Sequence, residues 1–290
     1  MTEATQATAD EEFSDLRPLL VAVAYELLGS VSDAEDVVQD AWLRWREVDR
    51  GGIRDPRAYL CRTVSRLALN RLRTVQRRRE DYVGPWLPEP LVAEDDVVEQ
   101  VARAEAVSTA MLVVLESLGP VERVVFVLRE VFGFGVDEVA AVVDRTPTNV
   151  RQIAHRARSH VEARRPRFAP DPDEHRVAVE RFKRAAETGD VDLLVSLLAP
   201  DVELTTDGGG AVKAALRPIV GRDKVVRFLA SVMAGRDEAE VEIVTVNGAA
   251  GLVFRFAGVL DTVATFDVAD GVATRLYVLR NPAKLSRLGG

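Results

Sequence analysis

The stretch Pro147–Arg167, PTNVRQIAHRARSHVEARRPR, decides how the first half of the chain folds. Val150, Ile153, Ala154, Ala157 and Val161 recur at the three- and four-residue spacing of one apolar helical stripe. Arg151, Arg156, Arg158, Arg164 and Arg165 lie largely off that stripe. Val136–Asp144 reads as a second amphipathic helix, with Val139, Ala140 and Val143 inward. Thr146 suits an N-cap, and Pro147 suits the first helical position, where a missing N–H costs nothing. Helix, tight turn and arginine-rich helix form a helix-turn-helix candidate.

The rest of the chain frames that reader. A length of 290 residues predicts two or three domains, and 47% apolar residues fit a soluble globular protein. No apolar run approaches the roughly 20 residues needed to span a bilayer. The acidic opening, residues 1–13, is not a secretory signal and reads as a disordered tail. The single Cys61 excludes an internal disulfide and fits a cytoplasmic location. With three histidines beside it, neither a metal site nor a cofactor is expected. The net charge of −8 argues against nucleic acid until its distribution is considered. Residues 1–168 hold 23 arginines, and these bunch in Arg54–Arg79 and Arg145–Arg167 while the acids sit mostly elsewhere.

Residues 14–80 read as three helices. Leu16, Leu19, Leu20, Val23 and Leu27 line the first, which Gly29 ends. Ser32 with Glu35 gives a capping box for a helix over 33–48. Spacing alone makes its Asp33, Asp36, Gln39 and Asp40 face a solvated one. After the Asp49–Asp55 loop, Pro56 opens a third helix. Its arginines repel one another at helical spacing, a cost that a nucleic-acid surface relieves. Residues 81–100 form a proline-rich linker, in which Trp86 and Leu87 are expected to dock on a surface. Residues 101–166 read as a four-helix module, with one continuous helix over Val121–Val131. From 167 to 290 two helices precede five strands, with Asn247-Gly248 and Asp270-Gly271 as hairpin turns. This predicts an α+β cone with a curled antiparallel sheet.

Three segments, SDAEDVVQDAWLRWRE at 32–47, DPRAYLCRTVSRLALNRLR at 55–73 and the helix-turn-helix at 136–165, resemble the extracytoplasmic-function sigma factors of bacterial RNA polymerase. The resemblance covers 14–166 and implies two all-α sigma domains, region 2 at 14–80 and region 4 at 101–166. It implies that Asp36, Gln39 and Asp40 meet core RNA polymerase. It implies that Arg57, Arg62, Arg66, Asn70 and Arg73 serve the −10 element, one base flipping into a pocket formed with the preceding loop. It assigns Thr148, Asn149, Arg151, Gln152, His155, Arg156 and Arg158 to the −35 element. Within that set, Arg156 and Arg158 are expected to hold phosphates.

The C-terminal part resembles a SnoaL-like domain of the nuclear-transport-factor-two-like superfamily. GPWLPEPL at 84–91, DGGG at 207–210 and NPAKL at 281–285 narrow the resemblance to the SigJ-type subgroup. Ala211 departs from that pattern, where a basic residue often follows the glycines, and Lys213 is the nearby replacement. The resemblance implies a domain that regulates the sigma core in cis, with no separate anti-sigma factor required. Trp86, Leu87, Asp207, Gly208, Gly209, Gly210, Asn281, Pro282, Lys284 and Leu285 are the expected regulatory contacts. From the residues alone, DGGG also reads as a plain strand-end loop. The cone admits a small-molecule ligand lined by Phe254, Phe256 and Phe266. His175 stands without a visible Ser-His-Asp set, so no catalytic residue is expected. The competing reading is a SnoaL-like ligand-binding or enzymatic domain fused to a DNA-binding repressor module.

Overall fold

The computed structural model describes residues 3–80, 82–92, 108–164, 171–233 and 239–288. The expected helix start at 101–107, the acidic run Glu94–Gln100, the side chains of Arg77–Arg79, and Arg165–Arg167 lie outside the described residues or side chains. Two compact units emerge. One comprises Met1–Glu80, Asp96–Val107 and Met111–Arg165. The other comprises Asp81–Asp95, Ser108–Ala110 and Pro166–Gly290. The expected linker thus divides, and its first part clusters with the C-terminal domain.

In the first unit, α1 (Glu3–Leu28), α2 (Val31–Glu47) and α3 (Pro56–Glu80) pack around Leu20, Leu27, Val38, Trp45, Leu60 and Val64. Burying each such aliphatic side chain contributes about 1.5–3 kcal/mol. Helix α1 begins at Glu3 rather than after residue 13, so the expected disordered tail is helical from Glu3 onward. Phe13, 5% exposed, anchors this added length. Gly29, at φ 65°, ends the helix. The cap of α2 is Ser30, whose Oγ accepts from the Asp33 N–H at 3.2 Å, not Ser32. Ser30 is the extended residue directly after the αL glycine, so no room remains for a cap two residues later.

The chain continues with α4 (Thr109–Glu116), which enters this unit at Met111, then α5 (Pro120–Phe126), α6 (Val136–Val143) and α7 (Pro147–Glu162). The expected continuous helix over 121–131 is broken. Val127–Val131 is a π turn, with the Phe132 N–H reaching the Val127 carbonyl at 3.1 Å. A π turn inserts one residue into the helical ladder and rotates the chain beyond it. Asp144, at φ 54°, stops α6. Thr146 then caps α7 by accepting from the Asn149 N–H at 3.3 Å. The buried stripe of α7 is Val150, Ile153, Ala154, Ala157 and Val161, as its spacing predicts.

In the second unit, α8 (Pro172–Thr188) and α9 (Val191–Ser196) lead into β1 (Leu198–Asp207) and β2 (Ile219–Val220). Helix α10 (Arg222–Met233), strands β3 (Ala239–Val246), β4 (Ala249–Phe256), β5 (Val259–Ala269) and β6 (Val272–Leu279), and the short α11 (Pro282–Leu285) complete the order. The sheet order is β2-β1-β6-β5-β4-β3. It is mixed rather than antiparallel throughout, because β1 runs parallel to β6. Hairpins join β3 to β6, but β1 enters separately and is linked onward through β2 and α10, so no hairpin dictates its direction. Register shifts in β4–β5 and β5–β6 mark bulges, which bend strands. Phe182 of α8 stacks on Phe266 of β5 with ring centroids 4.8 Å apart.

Candidate nucleic-acid interface and linker site

The N-cap and the buried stripe of α7 fix which side chains turn outward. Thr148, Arg151, Gln152, His155 and Arg156 are exposed, and Asn149 is half-buried. Arg158 is exposed but forks onto Glu130, with Nη2 to Oε1 at 2.7 Å. That carboxylate holds the Arg158 guanidinium above its ordinary pKa and competes with any phosphate for it.

On α3, Arg57, Arg62, Arg66, Asn70 and Arg73 are all exposed to some degree. The preceding loop is built by its own carboxylates. Asp49 accepts from the Gly51 N–H at 3.1 Å, and Asp55 accepts from the Ala58 N–H at 3.0 Å. Loop and helix enclose a recess of about 330 Å³ lined by Gly52, Arg54, Tyr59 and Arg62. Its far side consists of Leu128, Phe134 and Glu138. In this arrangement Arg66 donates to the Ala141 carbonyl of α6, and Arg57 lies over the Phe134 ring at 5.7 Å. The candidate −10 side chains are therefore partly occupied by the helix-turn-helix module. Arg123 of α5 ties the two halves of this unit further. It is 2% exposed, pairs with Glu116 at 2.6 Å and donates to the Glu26 carbonyl of α1 at 3.3 Å. Burial pushes its pKa down to about 10. The thiol of Cys61, on the wall of the recess, is pushed up to about 12 by burial, which makes it a poor nucleophile.

Asp36, Gln39 and Asp40 are exposed on α2. Arg71 of α3, which the sequence pattern did not single out, pairs with Asp33 and lies 3.6 Å from Asp36. One arginine of the basic stretch thus has a structural duty.

The tightest polar cluster sits on the linker segment, inside the second unit. Asp207, at the end of β1, is fully buried. Its Oδ1 accepts from Tyr82 Oη at 2.7 Å and from the Gly209 N–H at 3.0 Å. Its Oδ2 accepts from the Leu87 N–H at 2.8 Å and from Lys284 Nζ at 2.7 Å. Lys284, 8% exposed, also donates to the Leu87 carbonyl, and its ammonium stands 3.9 Å from the Trp86 ring centroid. Asn281 caps α11 through Oδ1 and donates from Nδ2 to Tyr82 Oη at 2.7 Å. A Cβ on Gly209 would fall 2.4 Å from the Asn281 side chain, and one on Gly208 2.6 Å from the Val212 carbonyl. At φ 60°, Gly209 also suits glycine for its backbone alone. Leu87 and Leu285 are buried, and Pro282 is the first residue of α11. Trp86, Leu87, Asp207, Gly209, Asn281 and Lys284 thus meet at one place, and Gly210 lies against Val83.

Sequence reasoning missed two residues that hold the linker segment, one in this cluster and one apart from it. Tyr82 stood outside the quoted motif, although its phenol is the hinge of the hydrogen-bond chain. Asn247 was read only as a turn residue. Its side chain and backbone bracket Leu91, accepting from the Leu91 N–H and donating to the Leu91 carbonyl, both at 2.9 Å. Its amide nitrogen donates to Thr109 Oγ1 at 2.9 Å.

The cone encloses a largely apolar cavity of about 350 Å³, lined among others by Phe182, Phe228, Phe254, Phe256 and Phe266. Its polar lining is Thr206, Lys213, Thr262 and Arg280, with Asp190 elsewhere on the wall. His175 is not among the lining residues. Its Nε2 lies 3.0 Å from the Phe266 carbonyl. The Asp267–Tyr277 pair also lies off the lining, and burial raises the pKa of both groups. No group of acidic, histidine or cysteine side chains that could hold a metal is found among the described residues. No helix among them is long and apolar enough to cross a membrane.

Residues 13–79 match the Sigma-70 region 2 family, 108–161 match Sigma-70 region 4, and 179–276 match the SnoaL-like domain. Two sigma regions on one chain define a sigma factor of RNA polymerase. More narrowly, the chain belongs to the extracytoplasmic-function (ECF) sigma factors and carries a SnoaL-like C-terminal domain. It is 42% identical to the ECF RNA polymerase sigma factor SigJ of Mycobacterium tuberculosis, over 95% of this chain and 92% of that one. It is 35% identical to the probable ECF sigma factor SigI of the same species, over 72% and 71%. The crystal structure of M. tuberculosis SigJ superposes with a TM-score of 0.80 at 39% identity, covering 95% of this chain and 98% of that one.

Proposed function

We propose that this ECF sigma factor directs core RNA polymerase to its promoters in the cytoplasm, and that its SnoaL-like domain sets that activity in cis by holding the linker. Asp36, Gln39 and Asp40 contact the polymerase. Arg57, Arg62, Arg66, Asn70 and Arg73 act on the −10 element. Thr148, Asn149, Arg151, Gln152, His155, Arg156 and Arg158 act on the −35 element. No separate anti-sigma factor is required for this control. The single observation that carries the regulatory part is the buried Asp207–Lys284 pair closed over Leu87 and Trp86. Taking two charges out of water costs several kcal/mol per ion unless their mutual geometry and hydrogen bonds offset it. A site built at that cost around a linker segment is well suited to control the linker.

The cone acts as a binding rather than a catalytic module. Asp190, on its wall, accepts the Leu193 N–H at 2.9 Å and caps α9, and His175 is turned to a main-chain carbonyl.

The test is transcription in vitro with core RNA polymerase. Full-length protein is expected to give promoter-specific transcripts. Lys284→Met, and truncation after about residue 170, should each change their yield strongly. Unchanged yield in both would remove the regulatory role. DNA binding with no polymerase-dependent transcript would favour the repressor reading instead.

A further inference from the structure

The polar end of the cone cavity and the linker site are made from the same two pieces of chain. On β1, Thr206 lines the cavity and the next residue, Asp207, holds the linker. The turn after β1 starts at Gly208–Gly210 against Asn281 and Val83, then contributes Lys213 to the cavity wall. Arg280 lines the cavity, while its N–H bonds the Asp207 carbonyl at 2.7 Å. Arg280 is followed directly by Asn281.

The charge at this end is unevenly compensated. Arg280 forks onto Asp261 through Nε at 3.1 Å and Nη2 at 2.9 Å, and its Nη1 donates to the Lys213 carbonyl at 2.8 Å. These contacts use three of the guanidinium's five N–H donors. Lys213 is exposed and forms no ion pair among the described residues. The remaining lining is dominated by aromatic and aliphatic side chains. A cavity of this size with a few convergent polar groups is typical of small-molecule sites.

We propose that the cone binds an apolar small molecule with an acidic head, its anion set against Lys213 and Arg280, and that loading shifts the hold on the linker. An anion drawn to Lys213 pulls on the turn whose glycines floor the Asp207 site. The coupling half of this proposal rests on the regulatory reading above.

Full-length protein is titrated with anilinonaphthalene sulfonate and with phenylnaphthylamine, two polarity-sensitive dyes that share an aryl body and differ in the sulfonate. The sulfonate is expected to bind about tenfold more tightly, the worth of one charge-assisted contact. Lys213→Ala should erase that advantage and leave the neutral dye unchanged. Val278→Phe, which fills the cavity, should abolish both signals while a cooperative thermal transition persists. Hydrogen exchange of the Leu87 and Leu91 amides should change severalfold in the sulfonate-loaded protein. No binding of either dye, or binding insensitive to Val278→Phe, would overturn the site. Equal affinities, or an unchanged Lys213→Ala, would overturn the acidic head. A saturated cavity with unaltered exchange at Leu87 and Leu91 would overturn the coupling. The effect of Lys284→Met on transcription needs no ligand, so it separates failure here from failure of cis control.

Discussion

Asp207 shows how much one side chain can organise. Its two oxygens accept from a phenol, two backbone amides and an ammonium, drawn from the linker, the glycine turn and α11. Removing either charge strands the other in a buried site, at a cost of about 3–5 kcal/mol. Neutralising both charges while keeping a hydrogen-bonding side chain at 207 costs less. Asp207→Asn with Lys284→Met should therefore unfold in denaturant at a higher midpoint than Lys284→Met alone. A double variant less stable than that single one would show that the pair acts through something other than mutual neutralisation. At this scale the sequence was informative wherever a motif named its own contact. The DGGG and NPAKL segments stand among the expected regulatory contacts with Trp86 and Leu87, and Asp207 and Lys284 each bond Leu87. Tyr82 and Asn247 could not be found that way. A tyrosine just upstream of a proline-rich segment and an asparagine in a hairpin each have an ordinary local reason to exist, and their long-range partners are 125 and 156 residues distant.

Among the elements, α7 was legible because its start, its stripe and its breaker are all local signals. The β1 strand was legible as a strand but not in its direction, since pairing with β6 is decided by a connection through β2 and α10 rather than by a turn. The π turn at 127–131 carries no local breaker in an apolar run, so spacing predicted a continuous helix. For DNA reading, α7 makes two kinds of prediction. Arg151→Ala and Gln152→Ala should each cost about 1–3 kcal/mol and relax base preference at the −35 element, read by promoter-variant competition. Arg156→Ala should weaken binding uniformly and lower its salt dependence. Arg158→Ala should do so less, because Glu130 already engages that guanidinium. An Arg158→Ala loss exceeding that of Arg156→Ala would mean that Glu130 releases its partner to DNA.

At the scale of the molecule, the two sigma regions share contacts that conflict with the −10 role proposed for α3. Arg66 bonds the Ala141 carbonyl and Arg57 lies over Phe134. On the proposed assignment, the unit is expected to part along α3 and α6 for promoter engagement. Arg66→Cys with Ala141→Cys, bridged by a short bis-maleimide, should form fewer open complexes than the same double variant left unbridged. The buried Cys61, with its raised pKa, should stay unmodified. Permanganate footprinting reads the outcome, and normal strand opening in the bridged protein would show that parting is unnecessary.

Asn247 closes a loop as a drawstring closes a bag. By gripping Leu91 through its backbone and carbonyl oxygen, and Thr109 through its amide nitrogen, one residue holds together two points eighteen positions apart. A leash gathered at its ends has less reach than its contour allows, at most about 3.3–3.6 Å per residue when fully extended. At φ 48° the position tolerates glycine, so Asn247→Gly keeps the hairpin and the backbone bond to Leu91 and loses only the side-chain grip on Leu91 and Thr109. That variant should accept promoters with a wider range of spacer lengths between the −35 and −10 elements, measured as transcript yield across a spacer series. An unchanged range would mean that the drawstring does not set the span, and that promoter geometry is policed elsewhere.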